Sequence, residues 1–174
     1  MKNILFLLLA TGLLGASCSS SDLPIASTEN TPRVSGNQEQ VTFDEENVSE
    51  TNVLDLSNQG LTKIPDYVFS MTNLVELDVS GNNLTGAIQA EIRNLSNLKY
   101  LIASDNMMTG VPAEIGQLSN LEILDLSNNN LTGLPYELGN LQNLKTFVIS
   151  GNDYSEQDLK IIMDKMPGGV QLVD

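Results

Sequence analysis

Residues 121–143 read LEILDLSNNNLTGLPYELGNLQN, with leucine at 121, 124, 126 and 131, asparagine at 129, then Leu134-Pro135, Leu138 and Leu141. The spacing is L-x-x-L-x-L-x-x-N-x-L, an alternating stretch that suits a short strand with every second side chain turned inward. The same pattern begins at Thr51 in a worn form, then at Leu74, Leu98 and Leu121, and a further strand half opens at Leu144. Successive starts are 23, 24, 23 and 23 residues apart. A fixed period of this size means one small unit stacked on copies of itself, each burying the apolar face that a single unit could not bury alone.

The pattern resembles the leucine-rich repeat family over about residues 51–154. That resemblance implies an α/β repeat solenoid: a short horseshoe of about five coils, with a parallel β-sheet on the concave face. Two inward ladders are expected, Leu54, Leu77, Leu101, Leu124, Phe147 and Leu56, Val79, Ala103, Leu126, Ile149. Gln59, Asn82, Asn106, Asn129 and Asn152 form a polar ladder; in the family this asparagine bonds buried backbone of adjacent coils, the use that justifies a polar group there. Pro65, Pro112 and Pro135 favour extended or short helical return segments, and Gln89 stands at the matching place in the coil 74–97. That coil, with Leu84-Thr85-Gly86-Ala87-Ile88, resembles the variant of plant receptors, whereas the others resemble the bacterial type.

The chain flanking the repeats divides by composition. Residues 1–17 carry Lys2, an apolar run from Ile4 to Leu14 and then small residues, as a secretory signal peptide does. Leu14-Gly15-Ala16-Ser17-Cys18 resembles the lipobox of bacterial lipoproteins, with the leucine one residue further from the cysteine than is common. The resemblance implies lipidation of Cys18 and membrane attachment through the N-terminal lipid. It places the protein in a bacterial cell envelope, at the outer membrane because Ser19-Ser20-Ser21 carries no aspartate after the cysteine. Residues 18–40 are polar and read as a flexible tether, and 41–50, with Val41, Phe43 and Val48, as an N-terminal cap. Residues 155–174 read as a C-terminal cap: Ser155 and Asp158 in a capping-box arrangement, a helix carrying Leu159, Ile161, Ile162, Met163 and Met166, Pro167-Gly168-Gly169 as a stop, and a last strand from Val170 to Val173. The repeat domain is expected to close there.

Charge and composition restrict the chemistry. Eight Lys and Arg against 22 Asp and Glu give a net charge of −14, which opposes nucleic acid as a partner. With no histidine and one cysteine, a Cys/His zinc site, a Ser-His-Asp triad and an internal disulfide are excluded. Asp55 and Asp78 fall on adjacent strands, where like charges would raise one pKa. Ile102 interrupts their row before Asp125, so no calcium cage of six to eight oxygens is expected, and an open sheet lacks a water-excluding pocket for catalysis. The chain is read as no enzyme, without cofactor or metal.

Function is therefore sought on the outward side of the strands. Tyr100, Ile102 and Ile123, with Val148 adjacent, make an apolar cluster edged by Glu76, Asp78, Asp105 and Asp125, the anatomy of an interface with an apolar anchor and polar rim. The expected partner of this monomer is a protein whose apolar surface is bordered by Lys or Arg. The alternative is an envelope structural or glycan-associated lipoprotein with no specific protein ligand.

Overall fold

The computed structural model describes residues 52–174. The leader, Cys18, the tether 18–40 and the expected cap 41–50 lie outside the described residues.

Leucines two apart, flanked by residues that tolerate water, produce strands of three residues in each coil. They are β1 (Val53–Asp55), β2 (Glu76–Asp78), then, after the two-residue β3 (Thr85–Gly86), β4 (Tyr100–Ile102). The two-residue β5 (Met107–Met108), β6 (Ile123–Asp125), β7 (Thr146–Val148) and β8 (Gln171–Val173) follow. Six of them stack in the order β1-β2-β4-β6-β7-β8, every pair parallel. The last strand is supplied by the C-terminal segment, so the face is one strand wider than five repeats would make it. With strands about 4.8 Å apart it spans roughly 24 Å.

The register brings Leu54, Leu77, Leu101, Leu124, Phe147 and Leu172 side by side, and Leu77 to Phe147 are fully buried. Val79, Ala103, Leu126 and Ile149 form the second buried ladder. Each leucine withdrawn from water in this way contributes about 1.5–3 kcal/mol. Leu54, in the first described coil, is only half-buried. Four five-residue 3-10 turns close the coils on the opposite side: Asp66–Ser70, Ala90–Asn94, Ala113–Gln117 and Tyr136–Asn140. They bury Val68, Ile92, Ile115 and Leu138. The residue before each turn is extended, at φ −60° for Pro65, −75° for Pro112 and −71° for Pro135. Gln89 adopts the same conformation at φ −63°, and its side-chain amide donates to the carbonyl of Ile64. A hydrogen bond between coils there replaces the stiffness of a proline ring.

The asparagine ladder joins the coils. Asn129 Nδ2 donates to the carbonyls of Ala103 and Leu126 at 3.0 and 3.1 Å, while its Oδ1 accepts from the Met108 N–H at 3.0 Å. Asn106 repeats this with Val79, Ala103 and Leu84, and Asn152 with Leu126, Ile149 and Leu131. Asn82 reaches Leu56 and Val79 and accepts from Gln59 and Leu61, so Gln59 enters the ladder only through its backbone. The Val79, Ala103 and Leu126 carbonyls therefore each accept from two asparagines, one in their own coil and one in the next.

At the C-terminal end, α1 (Glu156–Lys165) turns Leu159 and Ile162 into the core and leans on the Tyr136–Asn140 turn. Of the apolar residues in its expected stripe, Ile161 points to solvent. Ser155 Oγ accepts from the Asp158 N–H at 3.3 Å, the first half of a capping box. The Asp158 carboxylate instead accepts from the Tyr136 hydroxyl at 3.1 Å, tying the helix to the preceding coil. No helix among the described residues is long and apolar enough to cross a membrane.

Candidate functional site

Within each strand of the main sheet the central residue faces the core and its two neighbours face solvent. This alternation and the register fix two outward rows. The first runs Val53, Glu76, Tyr100, Ile123, Thr146, Gln171, and the second Asp55, Asp78, Ile102, Asp125, Val148, Val173. Tyr100 thus lies beside Ile123, Ile102 between Asp78 and Asp125, and Val148 beside Asp125. Tyr100, Ile102, Ile123 and Val148 are half-buried by their neighbours. Val173, 39% exposed next to Val148, extends the apolar surface onto the cap strand. The strand itself was expected but its place in the outward rows was not, because it falls outside the repeat period: Gln171 lies 25 residues after its partner Thr146.

The carboxylates are less free than a list of rim charges suggests. Asp78 Oδ1 accepts from the Ser80 N–H at 2.8 Å; Asp125 Oδ1 accepts from the Ser127 N–H at 2.9 Å and its hydroxyl at 2.7 Å. Asp55 does the same with Ser57. The D-x-S that recurs in β1, β2 and β6 is therefore a local turn lock, in which a short acid satisfies the backbone two residues on. Of the Asp55–Asp78 pair, Asp55 is not the member with a raised pKa: hydrogen bonds from the Ser57 side chain and backbone hold its carboxyl below the ordinary aspartate value. Asp105 sits at φ +54°, and its carboxylate accepts from Asn128 Nδ2 at 2.9 Å. Its column is left-handed throughout, with Asn58, Gly81, Asn128 and Gly151 at φ +55°, +64°, +53° and +70°. Asparagine, aspartate and glycine tolerate that conformation best. A Cβ on Gly81 would come within 2.3 Å of Asn58 Oδ1, so glycine there also makes room for its neighbour. Glu76, at the head of β2, makes no ion pair among the described residues.

The other side of the apolar cluster is not acidic. Immediately before β4, β6 and β7, Lys99, Glu122 and Lys145 form a row in which both lysines pair with Glu122, Lys99 at 3.3 Å. The two cations hold the Glu122 carboxyl below its ordinary value, and Glu122 raises Lys145 in turn. The rim is mixed, which charge counting along the outward rows did not reveal. Outside it, Asn97, Asn120 and Asn143 make a second amide ladder, donating to the carbonyls of Thr72, Ser96 and Ser119 in the preceding coil at 2.9, 2.8 and 2.7 Å. The signal for it was present: Asn73, Asn97, Asn120 and Asn143 each precede the opening leucine of a coil.

Among the described residues no group of three or more His, Cys, Asp or Glu side chains could hold a metal ion. The depressions in this surface are open and shallow, lined at the head of the strands by asparagine and lysine.

Leucine rich repeat models match residues 49–108, and a two-copy leucine rich repeat model matches 96–136 and 119–160. No curated protein sequence matches significantly. A leucine-rich repeat protein of Leptospira interrogans is 31% identical with a TM-score of 0.53, over 74% of this chain and 38% of its own. The leucine-rich repeat ectodomain of the Arabidopsis thaliana receptor kinase SOBIR1 is 30% identical with a TM-score of 0.57, over 70% of this chain and 67% of its own. That of the Arabidopsis thaliana receptor kinase GASSHO1/SCHENGEN3, solved in complex with CASPARIAN STRIP INTEGRITY FACTOR 2, is 36% identical with a TM-score of 0.52 over 57% of this chain. The chain spans only 13% and 38% of the receptor kinase GASSHO1 and Leptospira structures. Repeat period, parallel stack, shared asparagines and these matches agree that the chain belongs to the leucine-rich repeat family.

Proposed function

We propose that this protein is a membrane-anchored, non-catalytic module of a bacterial cell envelope that holds a protein ligand on the outward face of its main sheet. The observation that carries the reading is the apolar cluster of Tyr100, Ile102, Ile123 and Val148 on three adjacent strands, bordered by Glu76, Asp78, Asp105 and Asp125. Half-buried aromatic and aliphatic side chains on a rigid sheet lose little freedom on binding, so their desolvation goes largely into affinity. The parallel with a receptor kinase ectodomain solved in complex with CASPARIAN STRIP INTEGRITY FACTOR 2 supports the same class of use. The partner carries apolar side chains for the cluster and basic groups for Asp78, Asp105 and Asp125. Catalysis has no support in the site: the aspartates are engaged in turn hydrogen bonds. Cys18 carries the lipid, residues 18–40 act as spacer, and the outer membrane is the proposed location.

The test is affinity capture from envelope extracts with the purified protein beside a Tyr100→Ala, Ile102→Asp double variant. A protein retained by the parent and lost by the variant, at unchanged thermal stability, is the expected result. Equal retention by both, or retention by neither, refutes the assignment of this face.

A further inference from the structure

At the head of the strands runs a shallow polar trough, which meets the protein-binding face just proposed only at the mixed rim of Lys99, Glu122 and Lys145. One depression, about 420 Å³, is lined by Asn52, Asn73, Val75, Asn97, Lys99 and Asn120. A second, about 230 Å³, is lined by Lys99, Asn120, Glu122, Asn143 and Lys145. They share Lys99 and Asn120, so the two are one trough crossing the coils from β1 to β7. Except for Val75 every lining side chain is an amide or a charged group.

Three properties restrict what fits there. Asn97, Asn120 and Asn143 are each pinned to the preceding coil by one N–H, while their carbonyl oxygens and second N–H groups take no protein partner among the described residues. They are fixed donor–acceptor pairs, already ordered before any ligand arrives. Charge is nearly balanced, because Glu122 bridges Lys99 and Lys145, so the trough neither repels nor demands an ionic ligand. The same amide returns with every coil, at the strand spacing of about 4.8 Å. Identical groups repeated along a line are matched by a ligand that is itself periodic, extended and rich in hydroxyl and amide groups. A folded protein epitope offers no such translation, and with one apolar residue in the lining the trough provides no anchor for one.

We infer that this trough binds a linear, uncharged glycan chain, its hydroxyl and acetamido groups meeting the asparagine amides coil by coil while Lys99 and Lys145 donate to ring substituents. The site borders the Tyr100 cluster but contains none of its apolar residues, and it stands whether or not that cluster binds a protein.

The experiment titrates β-1,4-linked N-acetylglucosamine oligomers, from the disaccharide to the hexasaccharide, and cellohexaose into the full chain, read by calorimetry and by amide shifts in NMR. Affinity should rise with each sugar added up to the hexasaccharide, since each contact along the trough adds to the last, and shifts should map to residues 97–99, 120–122 and 143–145. Asn97→Ser with Asn120→Ser, and separately Lys99→Ala with Lys145→Ala, should each weaken the hexasaccharide about tenfold or more, equivalent to at least about 1.4 kcal/mol. The lysine pair is exposed, so that variant remains informative if the asparagine pair fails to fold. Tyr100→Ala with Ile102→Asp should bind the sugar as the parent does. Absence of binding by the parent to both glycans, affinity independent of chain length, or loss of sugar binding in the Tyr100/Ile102 variant would each overturn the proposal.

Discussion

Asn129→Ala is the sharpest test of how the coils are held together. Asn129 and Met108 are both buried, and the substitution leaves the Met108 N–H with no acceptor. A buried donor left unmade costs about 1–3 kcal/mol. The Ala103 and Leu126 carbonyls lose one donor each but keep Asn106 and Asn152, a smaller loss of about 0.5–1 kcal/mol apiece. The sum is about 3 kcal/mol, a large part of the stability of a domain this size. Urea unfolding of the purified protein, followed by circular dichroism, should show the midpoint falling with m unchanged. The shared carbonyls add a stricter requirement. Asn106→Ala with Asn129→Ala strips both donors from Ala103, so this pair should cost more than the sum of its singles by about 1 kcal/mol. Asn106→Ala with Asn152→Ala shares no carbonyl and should be additive. A loss below about 1 kcal/mol for Asn129→Ala, or equal coupling in both pairs, would refute the reasoning.

Other expectations follow from single contacts. Gly116→Ala places a Cβ 2.2 Å from the Glu137 carbonyl oxygen of the next coil and should destabilise by about 1–3 kcal/mol, whereas Gly133→Ala meets nothing within 4 Å and should be near neutral in thermal melts. Glu122 lies below its ordinary 4.5 because of Lys145 and Lys99, so its contribution is present above 4.5 and fades as pH falls through the lowered value. Lys145 lies above its ordinary 10.5, so its share is complete below 10.5 and fades as pH rises through the raised value. NMR titration should find the Glu122 carboxylate returning toward its ordinary value in Lys99→Ala with Lys145→Ala; an unmoved midpoint would remove the ion pairs as its cause. Cys18→Ala should abolish incorporation of a clickable palmitate and release the protein from the membrane fraction, and unchanged labelling would place the lipid elsewhere.

The repeat itself was written plainly. Leucines two apart on a 23-residue beat admit one arrangement, because only inward alternation in register buries them all. The buried asparagines were equally legible, since a polar residue recurring among leucines needs backbone partners. What escaped was whatever depends on local turn bonds and on contacts between neighbouring coils. Asp78 and Asp125 read as rim charges and Asp55 as one of an acid pair, yet all three close their own turns. Asp105 read as an interface acid, but its conformation at φ +54° gives the residue type a second reason. The β3–β5 pair arises where Thr85-Gly86 lies against Met107-Met108, residues that share no alternating pattern to announce it. Lys99, Glu122 and Lys145 lie one residue before the strands, outside the rows from which the face was assembled. The coupling that makes the rim mixed emerges only when three coils are superposed.

The doubly shared carbonyls also set a rule for growth. Each coil presents to the next a carbonyl awaiting a second donor and a backbone N–H awaiting an amide oxygen, and each new coil fills both while offering the same pair onward. A duplicate of residues 121–143 spliced after Asn143 would join this relay without any change in its neighbours, lengthening the sheet by one strand. A splice that shifted the asparagine by a single residue would strand the carbonyl behind it. The sheet thus grows by whole coils, and the fixed step from strand to asparagine, Leu77 to Asn82 and Leu101 to Asn106 alike, is what the relay proofreads, while the rest of a coil admits the extra residue of 74–97.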